Sequence, residues 1–276
     1  MARTARVKSK ADGTAYYHLV ARTTNKQFLL KDVRAKKELA RLICKAAEFS
    51  GIELEAWTIM DNHFHIACKV VRGEKVSQDE IVRRVRILKN DKAADELEQR
   101  WNGMIAGGLV ATVESELDRY RARMSDISQF MKTLKELFAV WFNKEYKYCG
   151  SIWSGVFKST MIEDGRYMSN CRKYIALNAV RAGIVRQVRE YLWVWVRKDE
   201  ESEIMEGCLP TWAMRRVAQL SSGKIYGSRE YVETWTYRLG DKFPAASVPA
   251  RMVGKIGYAT HGWRLAKKDA AAKVVA

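Results

Sequence analysis

The clearest pattern of apolar and polar positions lies in residues 57–70, where β-branched and aromatic residues flank an Asp-Asn pair. This pattern predicts a strand, a tight turn and a second strand. Alternate residues of a strand point to opposite faces, so His63 and His65 share one face while Phe64 points to the other. We therefore expect Phe64 in the core and the two imidazoles together on the second face.

The remaining apolar patterns predict an α+β protein. A strand at 15–23, a helix at about 31–49 and a strand at 52–60 precede the second strand of the pair, and this order is half of a ferredoxin-like unit. Residues 72–124 interrupt the unit and predict an inserted helical subdomain. Downstream, the patterns predict the following elements: a helix at 128–146, a turn and then a strand within 148–162, a helix from Asp164 to Gly183, and helices at 211–220 and 228–239.

The net charge indicates which class of partner the protein binds. A formal net charge of +17 over 276 residues favours polyanions, with nucleic acid ahead of an anionic membrane surface. No apolar run is long enough to cross a bilayer, so we expect a soluble protein that does not act at a membrane. Five widely spaced cysteines without a Cys-x-x-Cys pair fit a reducing cytoplasm, and residues 1–13 are expected to be a basic disordered arm.

The two histidines have two interpretations. Their backbones lie about 7 Å apart along a strand, close enough for both rings to bind one divalent ion. An isolated His-x-His motif is more often a hydrogen-bonded pair on a half-exposed sheet. A second motif is therefore needed to favour a metal site.

The helix predicted from Asp164 supplies that motif. Asn170, Tyr174 and Asn178 recur every four residues and line one face, either satisfied by local hydrogen bonds or forming a site. A tyrosine hydroxyl, with an ordinary pKa near 10, cuts a phosphodiester slowly unless a cation lies close by. Asn178 would bring an amide oxygen to such a cation. Mixed nitrogen and oxygen ligands favour Mg²⁺ or Mn²⁺ over a closed zinc site.

At this point several blocks resemble a known family. His63-Phe64-His65 resembles the His-hydrophobic-His signature of HUH endonucleases, and residues 174–185 closely resemble the "Tyr-Ile-x-x-Asn-Pro-Val-Arg-Ala-Gly" block of REP-associated tyrosine transposases, which are single-tyrosine, IS200-like enzymes. Residues 152–159 are similar to their "Leu-Trp-x-Gly-Arg-Phe-Lys-Ser" strand. The resemblance covers roughly residues 14–198, apart from the insertion.

The resemblance implies a ferredoxin-like HUH core, an antiparallel sheet with helices on one face, as the catalytic domain 14–198. It implies metal-dependent cleavage of single-stranded or hairpin DNA at palindromic elements, through a 5′-phosphotyrosine intermediate and without a nucleotide cofactor. Carried over by position, Tyr174 is the nucleophile, and His63, His65 and Asn178 hold Mg²⁺ or Mn²⁺. The enzyme would work in the cytoplasm, associated with the nucleoid, as a monomer or a homodimer.

Some features depart from the family or have an open role. Alanine replaces the block's proline at position 179, valine replaces an arginine at position 156, and a helical extension at 199–276 that could bind DNA is unexplained. Arg181, Arg22 and Lys158 are candidate DNA contacts, although Arg22 could equally form a surface ion pair and Lys158 could simply be exposed. Trp153 could stack on an unpaired base or belong to the core.

Three other functions remain open. The same chemistry would serve a replication-initiation or relaxase-type nickase, although those families arrange the tyrosine differently. The chain could also be a basic DNA-binding protein that kept the fold without activity. A hydrolase of small phosphoesters is disfavoured because the motifs contain no carboxylate cluster.

Overall fold

The computed structural model of the protein describes residues 13–73, 75–198, 204, 223–239, 251–252 and 258–261. Eight strands join into one sheet with the order β5-β2-β3-β1-β4-β6-β8-β7, in which all neighbours are antiparallel except β4 and β6. The strands are β1 (Gly13–Arg22), β2 (Ile52–Ile59), β3 (His63–Arg72), β4 (Lys158–Ile162), β5 (Val194–Val196), β6 (Gly223–Gly227), β7 (Arg251–Met252) and β8 (Tyr258–His261).

The helices begin and end at recognisable signals. Asp32 caps the first helix by accepting from the Arg34 amide, and Gly51, with φ +61°, ends it as the sequence predicts. The helices are α1 (Val33–Ser50), α2 (Gln78–Leu88), α3 (Asp91–Ala106), α4 (Val110–Arg121), α5 (Ile127–Tyr146), α6 (Arg166–Ala176), α7 (Asn178–Arg181) and α8 (Arg229–Leu239). Within the described residues, none of them has the length and apolar character of a membrane-crossing helix.

Helices cover both faces of the sheet. α1 and α5 pack on the face that carries Phe64, as predicted. α6 lies on the opposite face, so the expectation of helices on one face is incomplete. The reason is that Ala56 and Ala67 present small side chains on that second face, where Cys171 and Ile175 of α6 pack against the sheet.

The fourth strand is shorter than the strand predicted within 148–162. Only Lys158–Ile162 is extended in the sheet, because Gly150 (φ +142°) and Gly155 (φ +87°) take backbone conformations that interrupt a strand. Trp153 keeps one isolated bridge to Thr23. The preceding residues therefore form an irregular segment beside the end of β1.

The C-terminal extension differs from a purely helical one. The helix predicted at 228–239 is present as α8, but β6 precedes it and pairs in parallel with β4, and β8 and β7 prolong the sheet. Ile225 and Tyr226 of β6 are fully buried, which explains why this segment joins the sheet. The arm predicted at 1–13, apart from Gly13, and the helix predicted at 211–220 lie outside the described residues.

The segment predicted as an inserted helical subdomain contains α2, α3 and α4, which share a small core of their own. Its centre is Trp101, which is fully buried, and the indole Nε1 donates to Glu116 Oε2 over 2.8 Å. Phe49 of α1 joins this core and links it to the helix layer of the main sheet.

Replacing Trp101 with alanine tests this small core. We expect Trp101→Ala to cost about 3–5 kcal/mol of unfolding free energy, because a large buried ring is removed and a cavity remains. Ile105→Ala, on the same helix at a position that is 40% exposed, should cost less than about 1 kcal/mol. Denaturant unfolding measures both, and equal losses would contradict a core centred on Trp101.

Candidate active site

Strand register places the predicted site residues of β1, β3 and β4 on one face of the sheet. In the pairing of β1 with β3, Arg22 lies opposite His63, and Val20 lies opposite His65. In the pairing of β1 with β4, Val20 also lies opposite Lys158. Residues that face each other across antiparallel strands point to the same side, so Arg22 and Lys158 share the face of the two histidines.

A third histidine, which the sequence analysis did not select, belongs to this face. His18 of β1 is fully buried, and its Nε2 lies 2.8 Å from His65 Nδ1. The ring centres of His63 and His65 are 5.0 Å apart, with the planes at 73°. The signal that could have found His18 is its place on the polar face of the first predicted strand, in a chain with only four histidines.

The environment keeps His65 neutral. Burial lowers the pKa of His65 well below its usual value, and the neighbouring His18, His63, Arg181 and Arg22 lower it further. A neutral imidazole is the form that binds a metal ion.

The hydrogen bonds around His63 define which of its ring nitrogens carries the proton. Asn62 Nδ2 donates to the Lys26 carbonyl over 3.1 Å, so Asn62 Oδ1 is the atom that faces His63 Nδ1, at 2.7 Å. Because Oδ1 can only accept, His63 Nδ1 must donate. His63 Nε2 is therefore the nitrogen with the lone pair.

α6 brings Tyr174 to the histidines. The edge of the Tyr174 ring meets His65 at 6.0 Å and His18 at 5.8 Å between ring centres, at 77° to both. Arg181 lies over the same ring, with its guanidinium carbon 4.1 Å from the ring centre, and it donates to the Tyr174 carbonyl. Only 4% of Tyr174 is exposed, so the predicted nucleophile is enclosed between the histidines and Arg181.

The helix predicted from Asp164 to Gly183 is broken near its end. α6 ends at Ala176 and the four-residue α7 begins at Asn178. The side-chain nitrogen Nδ2 of Asn178 donates to the carbonyls of Tyr174 (3.1 Å) and Ile175 (3.2 Å), which satisfies backbone acceptors at the end of α6. Its Oδ1 is therefore the side-chain atom that could bind a cation.

Two imidazole nitrogens and one amide oxygen are donors of the kind that an open divalent-metal site uses. Among the described residues, no group of three or more His, Cys, Asp or Glu side chains is arranged to hold a metal. The set of His63, His65 and the Asn178 oxygen stays a prediction, in which the structure brings the two imidazoles together. Both imidazoles have Nδ1 engaged by a neighbouring side chain, as metal-binding histidines commonly do.

A buried ion pair attaches α6 to the sheet. Arg172 Nη2 lies 2.6 Å from Glu55 Oε2, and Arg197 Nη1 lies 3.1 Å from Glu55 Oε1. Glu55 is the extra residue of a bulge in β2, between Leu54 and Ala56, and its side chain is 1% exposed. The Arg172 contact is short, but Glu55 Oε2 forms no well-directed hydrogen bond in it. The pair therefore acts as a charge contact next to the turn of α6 that carries Tyr174.

Trp153 lies elsewhere. Its ring packs against Phe64 at 5.5 Å and Phe138 at 5.4 Å, on the face opposite the histidines, and its Nε1 donates to the Lys135 carbonyl. Of the two roles open for Trp153, this packing favours the core, and stacking on DNA stays a prediction. The residue belongs to the core because the irregular segment before β4 turns its ring towards α5.

Comparison with known proteins finds a family similar to the first part of the chain, which contains the two histidines of the motif. A family model described as "Transposase IS200 like" matches residues 13–103, which include β1, β2, β3 and both histidines of the motif. Residues 13–103 are therefore similar to IS200-like transposases, in agreement with the resemblance drawn from the sequence. The Tyr174 block lies outside the matched range. No curated protein matches the chain.

One similar solved structure is described as the REP-associated tyrosine transposase bound to a REP hairpin. It is 17% identical, with a TM-score of 0.46, over 74% of this chain and 88% of that chain.

Neutralising Glu55 tests the attachment of α6. We expect Glu55→Gln to cost about 3–5 kcal/mol of unfolding free energy, because Arg172 would keep a buried charge without its partner. Glu53→Gln is the matched control on the same strand, since Glu53 is half exposed and pairs with Lys69 at the surface. That variant should lose at most about 1 kcal/mol in denaturant unfolding. Similar losses in the two variants would show that the buried pair has no special role.

Proposed function

We propose that the protein is a metal-dependent endonuclease and strand transferase for single-stranded or hairpin DNA, with Tyr174 as its nucleophile. The observation that carries the proposal is the meeting of Tyr174 with His65, two residues far apart in the chain, on the basic face that also holds Arg22. The IS200-like domain at residues 13–103 supports a DNA-cleaving role.

The reaction would exchange one phosphodiester for another. Tyr174 Oη attacks the scissile phosphorus, the Tyr O–P bond forms, and the bond to the 3′ oxygen breaks. The phenol loses its proton, and the leaving 3′ oxygen takes one up. The products are a 5′-phosphotyrosine and a free 3′-hydroxyl, and attack by another 3′-hydroxyl reverses the step for strand transfer. The bond energy is kept in the phosphotyrosine, so no nucleotide cofactor is needed.

Several residues would support this step. Mg²⁺ or Mn²⁺ held by His63, His65 and Asn178 would polarise the phosphate and favour in-line attack. Arg22 and Lys158, on the same face, would bind phosphates on either side of the cut. Such contacts release counterions, so we expect DNA binding to weaken strongly with salt.

The enclosure of Tyr174 requires a movement before cleavage. Arg181 covers the tyrosine ring from α7, which is only four residues long and separated from α6. We propose that a DNA phosphate replaces the Tyr174 carbonyl as the acceptor for the Arg181 guanidinium. This exchange would uncover the phenol and bring a positive charge to the phosphate in one movement.

A second candidate follows from the same enclosure. A buried tyrosine fits a basic DNA-binding protein that keeps the fold without cleaving DNA, and a relaxase-type nickase shares the chemistry. As a strand transferase or as a nickase, the protein would act in the cytoplasm at the nucleoid, as a monomer or a homodimer. Only the strand transferase and the nickase would form a covalent adduct with DNA, so detection of an adduct excludes the inactive DNA-binding protein.

The nucleophile is tested by removing one hydroxyl. We expect the protein to form a covalent adduct with a 3′-labelled hairpin oligonucleotide in Mn²⁺, visible on a denaturing gel, because the 5′-phosphotyrosine keeps the strand on the 3′ side of the cut, and we expect Tyr174→Phe to abolish it. Tyr167→Phe is the matched control, because Tyr167 is an equally buried tyrosine of α6. Equal adduct in the two variants would refute the assignment of Tyr174.

The dependence of cleavage on a metal is tested by removing divalent ions and then adding Mn²⁺ back. Because the phenol is a weak nucleophile without a cation, EDTA should abolish the adduct and excess Mn²⁺ should restore it. Hairpin binding, measured by fluorescence anisotropy, should persist in EDTA, since the basic residues remain. An adduct that forms at full rate in EDTA would rule out a metal-dependent step.

A further inference from the structure

The contact between His18 and His65 has a geometry that defines its nature. The two ring planes differ by only 11°, the ring centres are 5.0 Å apart, and the facing nitrogens are 2.8 Å apart. Each nitrogen of an imidazole lies about 1.1 Å from the ring centre, because ring bonds are about 1.3 Å long. Two rings joined nitrogen to nitrogen along a straight line would therefore have centres about 5.0 Å apart at this contact distance.

The observed separation thus indicates two nearly coplanar rings that meet end to end through an N–H···N hydrogen bond. The Tyr174 ring stands at 77° to both histidines, as expected when the two imidazole planes are nearly parallel. If both lone pairs converged on one ion about 2.1 Å away, the ring centres would lie only about 4.3 Å apart. His18 is therefore a hydrogen-bonding partner of His65 rather than a second ligand beside it.

An N–H···N bond between neutral imidazoles contains one proton, which leaves two arrangements. Either His65 Nδ1 donates and His65 Nε2 has the lone pair, or His18 Nε2 donates and His65 Nε2 carries a proton. Only the first arrangement allows His65 Nε2 to bind a cation.

We propose that His18 is a positioning residue that accepts the Nδ1 proton of His65 and so keeps His65 Nε2 as a metal-binding atom. Asn62 does the same for His63 through its Oδ1, an orientation fixed by the Lys26 carbonyl. The two imidazoles would thus be held in one tautomer by two different neighbours. This inference rests on the metal site of the proposed function and adds the residues that prepare it in the absence of metal.

The direct test reads the tautomers in the metal-free wild-type protein. With ¹⁵N-labelled histidine, two-bond ¹H–¹⁵N correlation spectra distinguish the two tautomers, and four histidines make the assignment tractable. We expect His18, His63 and His65 all as Nδ1–H forms. A His65 ring protonated at Nε2 in the metal-free protein would overturn the proposal, whatever the protein does to DNA.

A variant pair tests the consequence for metal binding. His18→Gln keeps an acceptor oxygen close to the position of Nε2, whereas His18→Leu has none. We expect Mn²⁺ binding, followed by the electron paramagnetic resonance signal of free Mn²⁺, to weaken about 10–100-fold in His18→Leu and to stay within about threefold of wild type in His18→Gln. Wild-type Mn²⁺ affinity in a folded His18→Leu protein would contradict the proposal.

Controls separate this inference from the proposed function. Thermal unfolding without metal checks that each variant is folded, and if His18→Leu does not fold, the wild-type tautomers and the His18→Gln affinity decide. Tyr174→Phe should bind Mn²⁺ like wild type. A protein with the expected tautomers and Mn²⁺ affinity but without a DNA adduct would keep the role of His18 and lose the role of Tyr174.

Discussion

The antiparallel register of β1 with β3 is the constraint on which the site depends. It places Arg22 opposite His63 and brings His18 within hydrogen-bonding distance of His65, so the basic and imidazole groups share one face. A shift by one residue would turn these side chains into the apolar core on the other face. The same face has small side chains along β2 and β3, which leaves room for α6 to lie across it and deliver Tyr174.

α6, the helix that carries Tyr174, is held in different ways at its middle and beyond its C-terminal end. The buried pair of Glu55 and Arg172 attaches the middle of α6 to β2, where the loss of one partner is costly. Beyond Leu177, the chain forms only a short separate helix, and its contact with the tyrosine is the partly buried Arg181. Burial lowers the pKa of Arg181, so this guanidinium gains solvation or a phosphate partner when it leaves the Tyr174 ring. In the proposed mechanism, a fixed helix is combined with a cover that DNA displaces.

The sequence predicted the strand pair and the histidine face because strand alternation is a local property, whereas the meeting of Tyr174 with that face was expected from the chemistry of the two motifs and from the family resemblance. His18 was missed because its role depends on which strand pairs with β3, and that is a tertiary property. Glu55 was missed because a bulge, invisible to alternation, turns it into a buried position. The sequence left the place of Trp153 open because two glycines break the predicted strand, and the indole packs in the core.

Peptide mapping of the covalent adduct tests the central claim, that α6 presents its tyrosine to the histidine face for attack on DNA. After reaction with a hairpin oligonucleotide and nuclease digestion, trypsin should release residues 174–181 as one peptide and residues 167–172 as another, so mass spectrometry can tell the two tyrosines of α6 apart. We predict that a nucleotide phosphate is attached to the peptide 174–181. A nucleotide on any other tyrosine peptide, or on none, would contradict the claim.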